Sequence, residues 1–232
     1  MAKRKKTDLV TCPYCREQLR HCDSERDHVP PKGLFPHPRP SNLLTIRCCP
    51  KCHDSLSQGD EPLKAMGGLG VFRNNDAHQL VDGVYRGLDR NPWWKKPLVD
   101  AALKRQSVDL IVDSEIVRLP KIQISGEVAE AINTSLKRTV VGLLHDWEPT
   151  RIVSLKDVEI LQVPEENPEI LRRVFGEMPL RFHKSLGKSF RAAWDFANDS
   201  SAAGAMVLSF YDGLHFVAFV NLQANLITST DA

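Results

Sequence analysis

Beyond residue 52 this 232-residue chain has no cysteine at all: Cys12, Cys15, Cys22, Cys48, Cys49 and Cys52 all lie in the first quarter, and the 180 residues that follow contain none. A disulfide framework spread over the chain is thereby excluded, and six thiols crowded into one segment point to local chemistry. Long apolar runs are also missing; nothing approaches the roughly 18 consecutive apolar residues that a membrane span needs. The start, "MAKRKKTDLVTC", has a basic front with no apolar stretch behind it, so a cytoplasmic chain without a secretion signal or membrane partner is expected. Several motifs are absent as well. There is no Walker-type phosphate loop, no dinucleotide fingerprint and no G-x-S-x-G elbow, which removes support for an intrinsic ATPase, a dehydrogenase or an elbow hydrolase. No internal repeat occurs, and no low-complexity tract beyond one proline cluster.

The net charge of +2 conceals an asymmetry. Residues 1 to 60 carry 11 Lys and Arg against 7 Asp and Glu, whereas the remainder carries 20 against 22. A basic first quarter favours an anionic partner there, because Lys and Arg displace counterions from phosphate backbones; a solubilising "KRKK" tail is the plainer explanation of part of it.

Within that quarter, "CPYC" supplies Cys12 and Cys15 and "CPKC" supplies Cys49 and Cys52. A two-residue spacer lets a tight turn aim both thiolates at one ion, and two such pairs are the ligand set of a tetrahedral structural zinc. Cys22 and Cys48 are left over and are expected to be free, partly buried thiols. The insert between the pairs contains "RDHVPPKGLF", then "PHPRP", then "SNLLTIRC". Its prolines, Pro30, Pro31, Pro36, Pro38 and Pro40, exclude helix and favour turns. "NLLTIR" reads as a strand, and "PKCHDSLSQ" begins a helix with Pro50 in its first turn. The order is strand, loop, strand, helix.

Over residues 12 to about 60 this arrangement resembles the HNH, or ββα-metal finger, endonucleases in their four-cysteine form. The signature falls on Asp27 with His28, on Asn42 and on His53, spaced by 14 and 11 residues. The resemblance implies that His28 is the general base, that Asn42 braces the loop and orients His28, and that Asp27 and His53 hold a catalytic divalent cation, Mg²⁺ or Mn²⁺, distinct from the zinc. The residue types suit phosphodiester hydrolysis, which needs a base near neutral pH and a hard cation to offset charge on the phosphate. Because consecutive strand residues face opposite ways, Asp27 and His28 should converge only at a strand end or bulge. Lys32, Arg39 and Arg47 are candidates for phosphate contact. DNA is the expected substrate, with a role in restriction or anti-phage defence alongside a targeting or ATPase subunit, and with homodimerisation if both strands are cut. The alternative is a non-catalytic zinc module that binds nucleic acid or protein.

The rest of the chain divides, on pattern, into a helical brace over 63–115 and a C-terminal α+β domain over 116–232, after the finger of 1–62; the fold class is α+β. "DAHQLVDGVYRGLDR" starts a helix at an Asp76 cap, and "KPLVDAALKRQ" follows after a stop at "NPWW". "GEVAEAINTSLKRTVVGLLHDWEP" is the longest helix, with Val128, Ile132, Leu136, Val140 and Leu144 forming a core stripe. "RIVSLKDVEILQV" reads as a strand and "NPEILRRVFGEM" as a short helix. The hairpin "AGAMVLSFYDGLHFVAFVNL" turns at "YDG", where Asp-Gly should supply the left-handed positions. Trp93 and Trp94 read as an aromatic plug. His21, His37, His145, His183 and His215 lack partners at ligand spacing and read as structural or exposed.

Overall fold

Two short hairpins and a helix build the N-terminal segment, and each starts where the sequence places a turn residue or a cysteine. The computed structural model describes residues 8–70, 74–90, 92–103, 106–112, 115–121, 124, 126–149, 151–163, 182–196 and 203–221. The basic "KRKK" and the segment "NPEILRRVFGEM" lie outside them, as does the side chain of His183.

Strands β1 (Leu9–Thr11) and β2 (Gln18–Arg20) pair antiparallel around the first cysteine turn. That turn closes with Arg16 N–H donating to the Cys12 carbonyl at 2.9 Å, and Arg16 adopts a left-handed φ of 67°. Strands β3 (Glu25–Val29) and β4 (Leu44–Cys48) pair antiparallel in unbroken register, with Asp27 opposite Ile46 and His28 opposite Thr45. Helix α1 (Pro50–Leu56) follows at once. Cys49 caps it: its Sγ accepts from the Cys52 N–H at 3.4 Å, and Pro50 fills a first-turn position where no backbone donor is needed.

A 3-10 turn, Ser57–Gly59, leads into α2 (Asp60–Gly70). Helix α3 (Asn75–Arg90) is capped by Asn74, whose Oδ1 accepts from the N–H groups of Asp76 and Ala77, so the cap stands two residues before the expected Asp76. Helix α4 (Pro92–Leu103) starts at Pro92, so "NPWW" opens a helix that was expected to follow it. Trp94 is buried against Gly87 of α3 while Trp93 is exposed, so the plug is one tryptophan. An antiparallel pair not read from the sequence follows, β5 (Gln106–Val112) with β6 (Glu115–Lys121).

Helix α5 (Glu127–Trp147) is the longest element. All five residues of the expected stripe are buried, but so are Ser135, Arg138, Thr139, Val141, Gly142 and Leu143. A helix buried on nearly every side has protein on nearly every side, and α5 touches α1, α2 and β3 as well as β7 (Val158–Val163). Strands β8 (Phe182–Leu186), β9 (Phe190–Phe196), β10 (Ala203–Phe210) and β11 (Leu214–Asn221) complete an antiparallel sheet in the order β7-β11-β10-β9-β8. The class is α+β. The expected C-terminal hairpin is β10–β11, but its left-handed residues are Tyr211 (φ 56°) and Asp212 (φ 57°), one position earlier than Asp-Gly would place them. Tyr211 earns that conformation by reaching away from its own sheet: its hydroxyl donates to the Leu34 carbonyl at 2.5 Å. One continuous cluster of buried side chains runs from Cys12 to Val220.

Close approach at two glycines fixes how α5 meets the N-terminal segment. A Cβ on Gly142 would lie 2.6 Å from a Val29 methyl, and one on Gly59 would lie 1.9 Å from the Ala131 carbonyl oxygen. The second contact is with backbone, which cannot rotate away. Gly59→Ala is therefore expected to destabilise the fold by about 1–3 kcal/mol, read as a lower urea midpoint with an unchanged slope; an unaltered midpoint would mean that α5 does not approach the 3-10 turn this closely.

Candidate metal centre and the residues around it

The two cysteine turns meet. The sulfurs of Cys12, Cys15, Cys49 and Cys52 all lie within 4.8 Å of one another, and the Cys15 and Cys49 sulfurs are 3.6 Å apart. Tetrahedral zinc with bonds of about 2.3 Å requires sulfurs about 3.8 Å apart, so this donor set fits the ion. Burial first, and then the neighbouring sulfurs, push the Cys52 thiol well above its ordinary value; Cys49 is also raised, chiefly by burial. A dication among the four would reverse that tendency by favouring thiolates, the ordinary coupling of metal binding to proton release. Among the described residues this is the one group of three or more His, Cys, Asp or Glu side chains at mutual ligand distance.

The two remaining cysteines stay outside it. Cys48 is fully buried, and burial, with the charge of Asp27 next, pushes its thiol up to about 12, which makes it an inert packing group. Cys22 is exposed rather than partly buried, with its Sγ 3.4 Å from Asp23 Oδ1.

On β3 the alternation of a regular strand decides where the signature residues point. The pairing continues through Asp27, His28 and Val29 without the expected bulge, so Asp27 faces the interior with Val29, and His28 lies on the other face, half-buried. Asp27 is 3% exposed. Its Oδ2 accepts from the Tyr14 hydroxyl at 2.5 Å and lies 3.4 Å from Arg138 Nε. Arg138 in turn donates from Nη2 to Asp60 Oδ2 at 2.9 Å, and Ser135 Oγ donates to Asp60 Oδ1 at 2.7 Å. One guanidinium thus bridges two carboxylates in the core, an arrangement that repays the desolvation of buried charge only through close pairing. Burial drives the Asp60 carboxyl up, against the pull of Arg138 and Ser135.

None of Tyr14, Asp60, Ser135 or Arg138 was legible as a site residue. Tyr14 sits inside the "CPYC" turn, where only the cysteines draw notice, and Arg138 lies next to the apolar stripe of α5 without belonging to it. The one available signal was a lone arginine in the run "RTVVGLL".

His28 carries a lowered pKa. Its partial burial is the main cause, the positive charges of Lys32, Arg39 and Arg26 add to it, and Asp27 opposes it. At neutral pH the imidazole is accordingly the uncharged, proton-accepting form. Arg26, Lys32 and Arg39 are all exposed, whereas Arg47 is partly buried and donates to the Ser24 carbonyl at 3.1 Å. Asn42 is exposed in the turn before β4 and makes no hydrogen bond to His28. His53 lies on α1 directly after Cys52, partly exposed, with Nδ1 3.4 Å from Asp54 Oδ1. His37 is exposed and His21 partly so.

The described residues therefore form an α+β protein with a cluster of four cysteines that could hold a metal ion. No helix among them is long and apolar enough to cross a membrane. Comparison with known proteins adds nothing further: no family model, no curated protein and no solved structure matches the chain.

The zinc-loaded chain is expected to contain one zinc per protein. Cys52→Ser should lose that metal, whereas Cys22→Ser should keep it, as read by metal analysis of the purified proteins; full zinc in Cys52→Ser would exclude this sulfur from the site.

Proposed function

We propose that the chain is a metal-dependent endonuclease of the HNH type, acting on DNA. The observation that carries this reading is geometric: His28 lies half-buried on the outward face of β3, in a finger that also holds the Cys12, Cys15, Cys49 and Cys52 cluster, with exposed Arg26 on its own strand and exposed Lys32 and Arg39 in the loop that follows. A base ringed by positive charge suits a substrate that brings negative charge of its own.

The chemistry follows from the roles. His28 accepts a proton from water as the oxygen attacks phosphorus; the bond from phosphorus to the leaving oxygen breaks, and that oxygen takes a proton from solvent. A bound Mg²⁺ or Mn²⁺ would offset the charge that builds on the phosphate. Asp27 and His53 are the residues proposed to hold that cation. Mg²⁺ is commonly bound by only one or two protein groups with waters filling the remaining positions; His53 is partly exposed, whereas Asp27, inward on β3 and paired with Arg138, would have to leave that pair to reach the cation. Lys32 and Arg39 would position the phosphate. Asn42, exposed in the turn before β4, is carried in the proposal as the loop residue of the signature on the resemblance alone. A zinc among the four cysteines would tie the β1–β2 turn to the start of α1; Cys52 faces that cluster while its neighbour His53, about 100° around the helix, faces elsewhere. Service in restriction or anti-phage defence, with a targeting or ATPase subunit, belongs to the same proposal and rests on the resemblance of the finger.

Nicking of supercoiled plasmid tests it. The native chain should nick in Mg²⁺ or Mn²⁺, and His28→Ala should reduce the rate by about 10²–10⁴-fold while keeping its zinc. Equal cutting by both proteins would remove His28 from the chemistry; no cutting in either metal would favour a zinc module that only binds.

A further inference from the structure

The register of the β3–β4 hairpin sorts its side chains into two faces. Glu25, Asp27 and Val29 share the inner face with their partners Cys48, Ile46 and Leu44, and Arg26 and His28 share the outer face with Arg47 and Thr45. Both acids of the two strands are thus on the inner side and both arginines on the outer.

Arg26 stands directly opposite Arg47, and His28 directly opposite Thr45. Residues paired in this way have Cβ atoms about 4.5–5.5 Å apart, and like charges so placed destabilise a hairpin. Elsewhere the chain matches arginines with acids, as in Arg20 with Asp23, Arg138 with Asp60 and Arg191 with Asp212. No carboxylate compensates the outer pair among the described residues. Arg26 is exposed and makes no hydrogen bond or ion pair. Arg47 is partly buried and uses only Nη1, on the Ser24 carbonyl at 3.1 Å and on the Ser24 hydroxyl at 3.5 Å, so its Nε and Nη2 remain free to donate.

One arginine is therefore tethered, and the other stands in solvent and can close on whatever the first one holds. The planar donor fork of a guanidinium matches the oxygens of a phosphate. Distance along the strand adds a second match. Two residues of β-strand rise roughly 6.8 Å, close to the step between successive phosphates of one nucleic-acid strand, so a backbone that sets one phosphate at the arginines sets its neighbour at His28.

We propose that Arg26 and Arg47 form a clamp for one DNA phosphate, next to the phosphate presented to His28, and that the outer face of the β3–β4 hairpin is the surface on which the backbone lies. This rests on the nuclease reading for DNA as the ligand and for the role of His28, and it deepens that reading with a phosphate site that involves neither cation. Strand register alone makes the two arginines one site.

Binding without cleavage tests the clamp. Affinity for a short labelled DNA duplex would be measured by fluorescence anisotropy on the full, zinc-loaded chain over a series of salt concentrations, with no added Mg²⁺ or Mn²⁺ and with zinc content as the check on folding. Each neutralised phosphate contributes about −0.9 to the slope of log K against log salt. Arg26→Gln should make that slope shallower by about 1 and weaken binding about 5- to 10-fold at about 0.1 M salt, and Arg47→Gln should do the same. Arg26→Lys should keep the native slope, because the slope follows charge. The double variant Arg26→Gln/Arg47→Gln should lose little more than either single one, since both arginines hold one phosphate. Losses that add would assign them to separate phosphates and overturn the clamp. A native slope in Arg26→Gln would overturn it as well, and so would an equal loss in Arg20→Gln, whose charge is matched by Asp23. In each of these cases the nuclease reading still stands or falls by plasmid nicking. No DNA binding by the native chain would overturn both; shallower slopes without any nicking would keep the clamp as a binding surface and overturn hydrolysis. Should Arg47→Gln lose its zinc, Arg26→Gln and Arg26→Lys decide.

Discussion

Four sulfurs within 4.8 Å of one another are the constraint on which the N-terminal half depends. A segment this rich in proline has little regular structure of its own with which to bury apolar surface, and β3 and β4 together offer only two short strands. An isolated two-stranded hairpin is marginal in water at best. A zinc ion among the four sulfurs would change the balance, because the binding free energy of a structural zinc is also folding free energy. The cluster joins the β1–β2 turn to the start of α1, where His53 follows Cys52, while β3 and His28 are placed by pairing with β4.

The second support is α5. It meets the hairpin through Gly142, where the missing side chain lets Val29 and Ile46 lie against the helix backbone, and it meets the 3-10 turn through Gly59. Its far side packs toward β7 of the five-stranded sheet. Between these apolar contacts it carries Arg138 into the core. Placing a guanidinium there costs several kcal/mol before pairing, and Asp27 and Asp60 are its compensation. Removing either carboxylate would leave a buried charge poorly matched, so the ionic cluster is specific about its partners in a way that an apolar contact is not. The C-terminal sheet adds its own ties: Tyr211 donates to the Leu34 carbonyl in the loop that follows His28, and Ser189 donates to Asp76 at the start of α3.

These contacts give the finger a context that its own residues do not specify. The His28 loop is held at one end by β3 and farther along by Tyr211 from the sheet, and the inward face of β3 is held by α5. The site proposed for catalysis is thus a surface feature on a framework that extends over most of the chain. A charged group on the open face, such as Arg26 or Lys32, acts through solvent and can vary in position; Asp27, on the inner face, is confined by neighbours from three separate segments.

Local chemistry was legible in the sequence wherever a residue acts on its immediate neighbours. Two-residue spacers between cysteines make a metal turn, Pro50 starts a helix, a recurrence at every fourth residue makes α5, and alternation around "YDG" makes β10 and β11. The strand pair β5–β6 is not legible because the helical pattern before it runs on past Leu103, and the left-handed residues of the β10–β11 turn fall one position earlier than Asp-Gly alone predicts, at Tyr211, whose hydroxyl bonds to Leu34 in another segment. By itself, then, the sequence determined the α+β class, the four cysteines that cluster and the strands and helix of the 25–56 segment, though not the β1–β2 pair, since spacing and periodicity are properties of neighbouring residues. Only the tertiary structure decided that Asp27 turns inward to Tyr14 and Arg138 while His28 turns out, because that choice belongs to strand register and to a helix a hundred residues away.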